Sequence, residues 1–309
     1  MESVADVLAA MGGSARTHEL NPHFTKRQLA LAVASGEVAR SVRGVYALAR
    51  LNEAEHAALE LSAALYLRSA ALAHGLGVLH RPRTIELAVP RGRRSRRLAG
   101  TTTYRRFLPA EDLVGRGQVR ATSPVRTVLD CAAMLPFAEG LAVADSALRM
   151  RAASRAELEA AAVTWVGRNK AAQRRVLKYM DGRAANAFES GLRAACLEAG
   201  VEMEPQVVIH TAGGDYRVDL AHQVEVEAVQ VEVVAEADSY EWHGGREDLH
   251  RDCTRYNELV RAGRVVLRFS WEHVMHEREW IGEVVSDVVR RAVRHNSGWN
   301  ERRMLRLTA

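Results

Sequence analysis

The sequence is poor in cysteine, long apolar runs and targeting signals. Its three cysteines are odd in number and far apart, at Cys131, Cys196 and Cys253, which excludes a disulfide framework and a Cys-x-x-Cys zinc site. The most apolar stretch, 57–79, is interrupted by charged residues and is predicted to form core helices, not a membrane span. No basic segment leads into an apolar run at the N-terminus, so we expect no secretory signal and a cytoplasmic location.

A strong excess of either charge is also absent. The chain carries 43 Lys and Arg against 38 Asp and Glu, a formal net charge of +5, and its pI is near 9.4. This excess permits a polyanionic partner without requiring one. Hydrophobic residues make up 48% and charged residues 26%, which excludes a wholly disordered chain. A length of 309 residues predicts two or three domains.

Residues 1–50 have the pattern of a winged helix-turn-helix. Helices are followed by a third helix that Thr25 caps, and strands at 38–42 and 45–48 form a hairpin. In such folds the first turn of the third helix reaches into the major groove of DNA. We therefore expect DNA contacts from that turn and from the hairpin, by Thr25, Lys26, Arg27, Gln28, Arg40 and Arg43. A capped surface helix with ordinary solvated charges has the same pattern, and that interpretation stays open.

Residues 51–168 mix helices with strands and are predicted to be an α/β middle domain. Five arginines lie within the seven residues 91–97. Such runs are commonly solvated loops, and without interleaved aromatic residues this one would contact only phosphates. The polar and basic segment 169–183 is predicted to be a linker.

Residues 184–295 are predicted to form helices on both sides of a small mixed sheet, and residues 296–309 are predicted to be a C-terminal tail. The overall fold class is therefore expected to be mixed α/β (α+β). Two neighbouring strands end in Asp219 and Glu236, with Asp238 on the same face as Glu236. Such carboxylates suit Mg²⁺ or Mn²⁺, so these three are the predicted metal ligands. A set of solvated acids at strand ends is the alternative.

The C-terminal segments resemble the very-short-patch-repair (Vsr-like) branch of the PD-(D/E)XK nucleases. The resemblance rests on 217–220, 236–244, 251–252 and 263–269, and it implies a restriction-endonuclease-like mixed sheet flanked by helices. It also implies a catalytic set: Asp219 as the principal metal ligand, Glu236 and Asp238 in support, Glu189 from the preceding helix, His243 as a proton carrier, and Asp252.

Two features depart from the usual nuclease pattern. The lysine found two positions after the acidic residue in most of the superfamily is Asp238 here. The Vsr-like branch also lacks that lysine, but the general base is left undefined. The segment between Leu220 and Glu236 contains three further glutamates, and negative charge is unfavourable beside a DNA channel. A degenerate, non-cleaving domain is therefore an alternative.

The first half of the chain resembles AbiE-type antitoxins. The winged-helix resemblance rests on 36–40 and 43–47, and that of the middle region on 69–71, 74–75 and 122–130. Together with the C-terminal resemblance, nearly the whole chain is covered. An antitoxin-like protein implies a cognate toxin or a homo-oligomer as a partner.

The sequence predicts a protein that binds double-stranded DNA and hydrolyses phosphodiesters with Mg²⁺. The main alternative is a non-enzymatic, antitoxin-like transcriptional regulator whose nuclease-like domain is inactive. A protein-interaction module without a DNA role is a third, weaker possibility. No membrane partner is expected.

Overall fold

The structure is a computed structural model that describes residues 2–42, 44–49, 51–93, 96–116, 118–226, 229–238 and 246–307. It confirms the predicted mixed α+β fold class. Contacts divide the chain into two compact units, one of residues 1–131 with 155–167 and the other of 132–154 with 168–309. No helix of the described part is both long and apolar enough to cross a membrane.

The N-terminal elements follow the order of a winged helix. They are α1 (Val4–Ala10), β1 (Ser14–Arg16), α2 (Thr17–Leu20), α3 (Lys26–Ala34), β2 (Val38–Val42) and β3 (Val45–Leu48). The strands form an antiparallel sheet in the order β1-β3-β2. Leu8, Leu20 and Leu29, one from each helix, are fully buried between the helices and this sheet.

The elements that follow build a five-stranded sheet with helices. They are α4 (Glu53–Leu61), β4 (Ala64–Leu65), α5 (Leu67–Ala73), β5 (Ile85–Pro90), β6 (Thr101–Arg106), β7 (Leu113–Arg116), β8 (Val119–Thr122) and α6 (Pro124–Met134). The sheet order is β6-β5-β4-β8-β7. The stretch 57–79, predicted to form core helices, contains the strand β4 between α4 and α5. Ser62 and Leu67 have positive φ angles, of 44° and 45°, which interrupt the helical path on either side of this strand.

Three helices come next: α7 (Phe137–Arg149), α8 (Arg155–Thr164) and α9 (Lys170–Tyr179). The segment 169–183 that the sequence predicts as a linker thus contains a ten-residue helix. Helix α9 packs on α7 through buried Gln173, Val176 and Leu177, a spacing of three and four residues that gives one buried face. By contacts, α7 and α9 belong to the second unit and α8 to the first.

The C-terminal unit contains a four-stranded mixed sheet with helices on both faces. Its elements are α10 (Ala187–Glu198), β9 (Glu204–Thr211), β10 (Gly214–Val226), β11 (Val229–Asp238), α11 (Arg246–Arg261), β12 (Val265–Ser270), α12 (Trp271–His276) and α13 (Arg278–Leu307). The order is β12-β11-β10-β9, with only β11 and β12 parallel. Leu192 and Ile281, from α10 and α13, pack on one face, and Leu259 of α11 packs on the other.

Candidate functional site

Two carboxyl groups meet where β10 and β11 pair. The backbone N–H of Ala237 donates a hydrogen bond of 2.9 Å to Oδ2 of Asp219, which ties this side chain to the strand that carries Glu236. The Glu236 side chain is buried, and its Oε1 accepts a hydrogen bond of 2.6 Å from Arg255 of α11. Burial and the adjacent charge of Asp219 raise the pKa of Glu236 to about 8, against the opposing effect of Arg255.

A third carboxyl group, that of Glu189 in α10, is connected to Asp219 through the side chain of Gln206. Asn186 caps α10 by accepting a hydrogen bond from the backbone of Glu189, which fixes this acid in the first helical turn. Oε2 of Glu189 accepts hydrogen bonds from the Ala185 N–H at 2.8 Å and from Nε2 of Gln206 at 2.9 Å. The same Nε2 lies 3.5 Å from Oδ1 of Asp219. Burial, with the charge of Asp219, raises the pKa of Glu189.

Sequence reasoning missed Gln206, although a signal for it exists. The hairpin of β9 and β10 pairs Thr211 with Gly214 and Val218 with Val207. Counting back from the predicted turn at 212–214 therefore places Gln206 opposite Asp219. Gln206 has a φ of 58°, in the left-handed region that costs a non-glycine residue free energy. This conformation accompanies a side chain that bridges two acids.

The remaining predicted acids belong to a neighbouring group that is centred on an arginine. Nε of Arg268 donates to Oδ2 of Asp238 at 2.6 Å, and its NH2 lies 3.6 Å from Oδ2 of Asp252. The guanidinium group also lies 4.1 Å from the ring centre of Tyr256. The structure thus brings Glu189, Asp219 and Glu236 together, while Asp238 and Asp252 share Arg268. His243 and Arg43 lie outside the described residues.

The described residues offer few donors to the predicted divalent ion. Within the described ranges, no three His, Cys, Asp or Glu side chains are placed so that they could hold a metal ion together. Mg²⁺ commonly uses only one or two carboxylates, with water and substrate phosphate completing the shell. Asp219 and Glu236 carry adjacent hard oxygen donors, and a cation would offset the burial and the Asp219 charge that together raise the pKa of Glu236. The two residues therefore fit Mg²⁺ or Mn²⁺.

In the winged helix, two of the predicted DNA contacts serve the helix cap. The Gln28 Oε1 accepts from the Thr25 N–H at 2.8 Å and from its hydroxyl at 2.9 Å, and the Thr25 hydroxyl accepts from the Gln28 N–H. Lys26, Arg27 and Arg40 are exposed, and none of the three is in an ion pair with a residue of the described part. They are free to reach phosphates. In the basic loop, by contrast, Arg96 pairs with Glu60.

Several known proteins are similar to parts of this chain. The family described as the AbiEi antitoxin C-terminal domain matches residues 62–179, which makes this region antitoxin-like. Two proteins of Mycobacterium tuberculosis, MT2308 of strain CDC 1551 and Rv2248 of strain H37Rv, both named as uncharacterized, are each 34% identical over 160 residues. That match covers 51% of this chain and 57% of each relative, so the chain spans little more than half of their length.

One crystal structure is also similar, that of the M. tuberculosis protein Rv2827c. It covers 66% of this chain and 82% of its own, at 14% identity and a TM-score of 0.33. Similarity at this level carries no information about function.

Proposed function

We propose that this protein binds duplex DNA and that its C-terminal unit hydrolyses phosphodiester bonds with Mg²⁺ or Mn²⁺. The observation that carries the proposal is the meeting of Asp219 and Glu236 on paired strands, with Glu189 attached through Gln206. Buried acids with raised pKa values, as burial and the charge of Asp219 produce in Glu189 and Glu236, are typical of functional sites. The winged helix, with exposed Lys26 and Arg27, supplies DNA affinity.

In this proposal Asp219 and Glu236 hold the ion. When bound there, it would polarise a phosphoryl oxygen and activate a water molecule. Glu189 and Gln206 position Asp219, because the Gln206 amide contacts both carboxylates. Arg255 and Arg268, whose side chains are 25% and 44% exposed, supply positive charge that attracts a phosphate. His243 remains the proposed proton carrier, and Asp238 and Asp252 the proposed supporting acids.

The proposal is tested by nicking of supercoiled plasmid with Mg²⁺, Mn²⁺ or EDTA. Asp219→Asn should reduce nicking by about 100-fold or more, since it removes the charge of one of the two proposed ligands. Asp215→Asn is the matched control: it lies on the same strand but is exposed and pairs with His210, so nicking should be unchanged. Equal metal-dependent nicking by wild type and Asp219→Asn, or none by wild type, would overturn the proposal.

A second candidate function is a non-enzymatic, antitoxin-like transcriptional regulator. Two observations favour it: the antitoxin domain match over 62–179, and the contacts of 2.6 Å by which Arg255 and Arg268 occupy oxygen atoms of Glu236 and Asp238. A cognate toxin or a second copy of the chain would then be the partner, and the cytoplasm the expected location. A sequence-specific shift of its own promoter without any nicking would support this function over the nuclease.

A further inference from the structure

We propose that the exposed face of α9 is a docking surface for the phosphate backbone of duplex DNA. The helix carries four cations in ten residues and no acid: Lys170, Arg174, Arg175 and Lys178. All four are exposed. In the part of the chain that the structure describes, none of them pairs with a carboxylate. This is concentrated positive charge on the outer face of one helix.

The positions of these cations form a regular row. Lys170, Arg174 and Lys178 are spaced four residues apart, so they follow one another along the same side of the helix at steps of about 6 Å. Arg175 lies beside this row, with its guanidinium group 4.0 Å from the ring centre of Phe137. A row of evenly spaced cations is complementary to a ligand whose anionic groups repeat along a line, as phosphates do in a nucleic acid.

The helix is held firmly in its unit. Its large apolar residues, Val176 and Leu177, are buried. The buried side chain of Arg193, in α10, donates to the carbonyl oxygen of Tyr179 at 2.7 Å and to Oδ2 of Asp145 in α7 at 2.7 Å. Because the helix is ordered before binding, docking a rigid ligand would require little further loss of conformational entropy.

The same contact brings the row near the acidic site. Arg193 lies four residues after Glu189 in α10 and so one turn along the same side of that helix. The C-terminal end of α9, with Lys178, is therefore attached about one helical turn from the acid that Gln206 connects to Asp219. This surface rests on the proposed function: it would hold the backbone of the DNA that the acidic pair acts on.

Two other anionic partners fit the helix less well. A membrane-surface helix places bulky apolar residues on the side that faces the lipid, whereas Val176 and Leu177 of α9 are covered by protein. An acidic protein would need carboxylates arranged at the spacing of this row of cations, whereas the phosphates of DNA repeat regularly along every strand. A backbone contact of this kind carries no sequence information, so it would complement a winged helix that reads bases.

The test uses the full chain with Lys26→Gln and Arg27→Gln as background, so that the winged helix contributes less. In this background Lys170→Gln, Arg174→Gln and Lys178→Gln are combined. The matched control combines Arg261→Gln, Arg290→Gln and Arg291→Gln, which removes three charges from exposed positions of α11 and α13 in the same unit. Two of these arginines are in ion pairs on their own helices, with Glu258 and Asp287. Binding to a random duplex is measured by fluorescence anisotropy in EDTA, as a function of salt.

The α9 variant should bind about tenfold more weakly at 0.1 M salt. The slope of its log affinity against log salt concentration should become shallower by about 2.7, the product of three contacts and 0.9. The control should match the background, and Lys170→Arg with Lys178→Arg should retain binding. Equal affinity and slope for the α9 variant and the control would overturn the proposal. It would also be overturned if the α9 substitutions left DNA binding unchanged and weakened binding to phosphatidylserine vesicles or to polyglutamate. The binding assay contains EDTA and therefore does not depend on a metal ion. An absence of plasmid nicking by wild type would refute the proposed nuclease but not this DNA-binding surface.

Discussion

The Asp219 side chain accepts a hydrogen bond from the residue that follows Glu236, so the two acids are held together by the pairing of their strands. Burial, together with the adjacent charge of Asp219, raises the pKa of Glu236 to about 8, so this carboxyl group holds a proton at neutral pH. The proton suppresses the repulsion between the two carboxyl groups in the absence of a cation.

The first prediction concerns the pH dependence of stability. The usual carboxyl pKa of 4.5 applies in the unfolded chain and about 8 in the folded protein, so between these values the folded state holds the extra proton and stability falls as pH rises. Glu236→Gln mimics the protonated acid and removes this dependence. In EDTA, its stability relative to wild type should increase by about 3–4 kcal/mol from pH 5 to pH 8, measured by thermal unfolding. Glu198→Gln, at an exposed position of α10, is the control, and a pH-independent difference for Glu236→Gln would contradict the prediction.

The second prediction concerns Gln206 as a positioning residue. Gln206→Asn tolerates the left-handed backbone but is too short to bridge Glu189 and Asp219. We expect plasmid nicking to fall about tenfold and the Mg²⁺ concentration that gives half of the thermal stabilisation to rise. Gln206→Gly should behave in the same way, because it also lacks the bridging amide. An unchanged Mg²⁺ midpoint in both variants would show that the bridge has no role in the site.

The third prediction concerns the ion pair of Asp145 and Arg193, whose side chains are 0% and 5% exposed. Arg193→Met leaves Asp145 as a buried charge without its partner, which should destabilise the protein by about 3–5 kcal/mol. Burial already raises the Asp145 pKa, so the loss should diminish at low pH, where the acid is neutral. Adding Asp145→Leu should recover part of the stability in urea unfolding. A double variant no more stable than Arg193→Met would contradict this account.

The fourth prediction separates capping from DNA binding in α3. Gln28→Glu keeps the acceptor that Thr25 uses, and a negative charge at a helix N-terminus is favourable. The thermal midpoint should therefore be unchanged or higher, while affinity for duplex DNA falls several-fold through repulsion of phosphates. Thr25→Ala should instead lose about 1 kcal/mol of stability, while its affinity for duplex DNA is retained. Retained DNA affinity in Gln28→Glu would exclude this turn from the interface.

Local features of the fold were predictable because their causes are local. The strands Val38–Val42 and Val45–Leu48 and the cap at Thr25 follow from residue pattern and capping chemistry within a few positions. Helix α9 was missed for a compositional reason: its basic outer face outweighed the spacing of Gln173, Val176 and Leu177. Strand β4 has only two residues, too few for any periodicity to reveal.

The sequence by itself determined the mixed α+β class and the set of acids on β10 and β11. It placed Asp219 at the end of its strand, which is wrong, because β10 continues to Val226. Only the tertiary structure decided which of them meet, since pairing of strands is a contact between residues distant in sequence. The fold placed Asp219 beside Glu236 and connected Glu189 to Asp219 through Gln206. It placed Asp238 and Asp252 next to Arg268. Charge partners of this kind are set by packing and burial, because an acid removed from water takes whichever cation or donor the fold brings within reach.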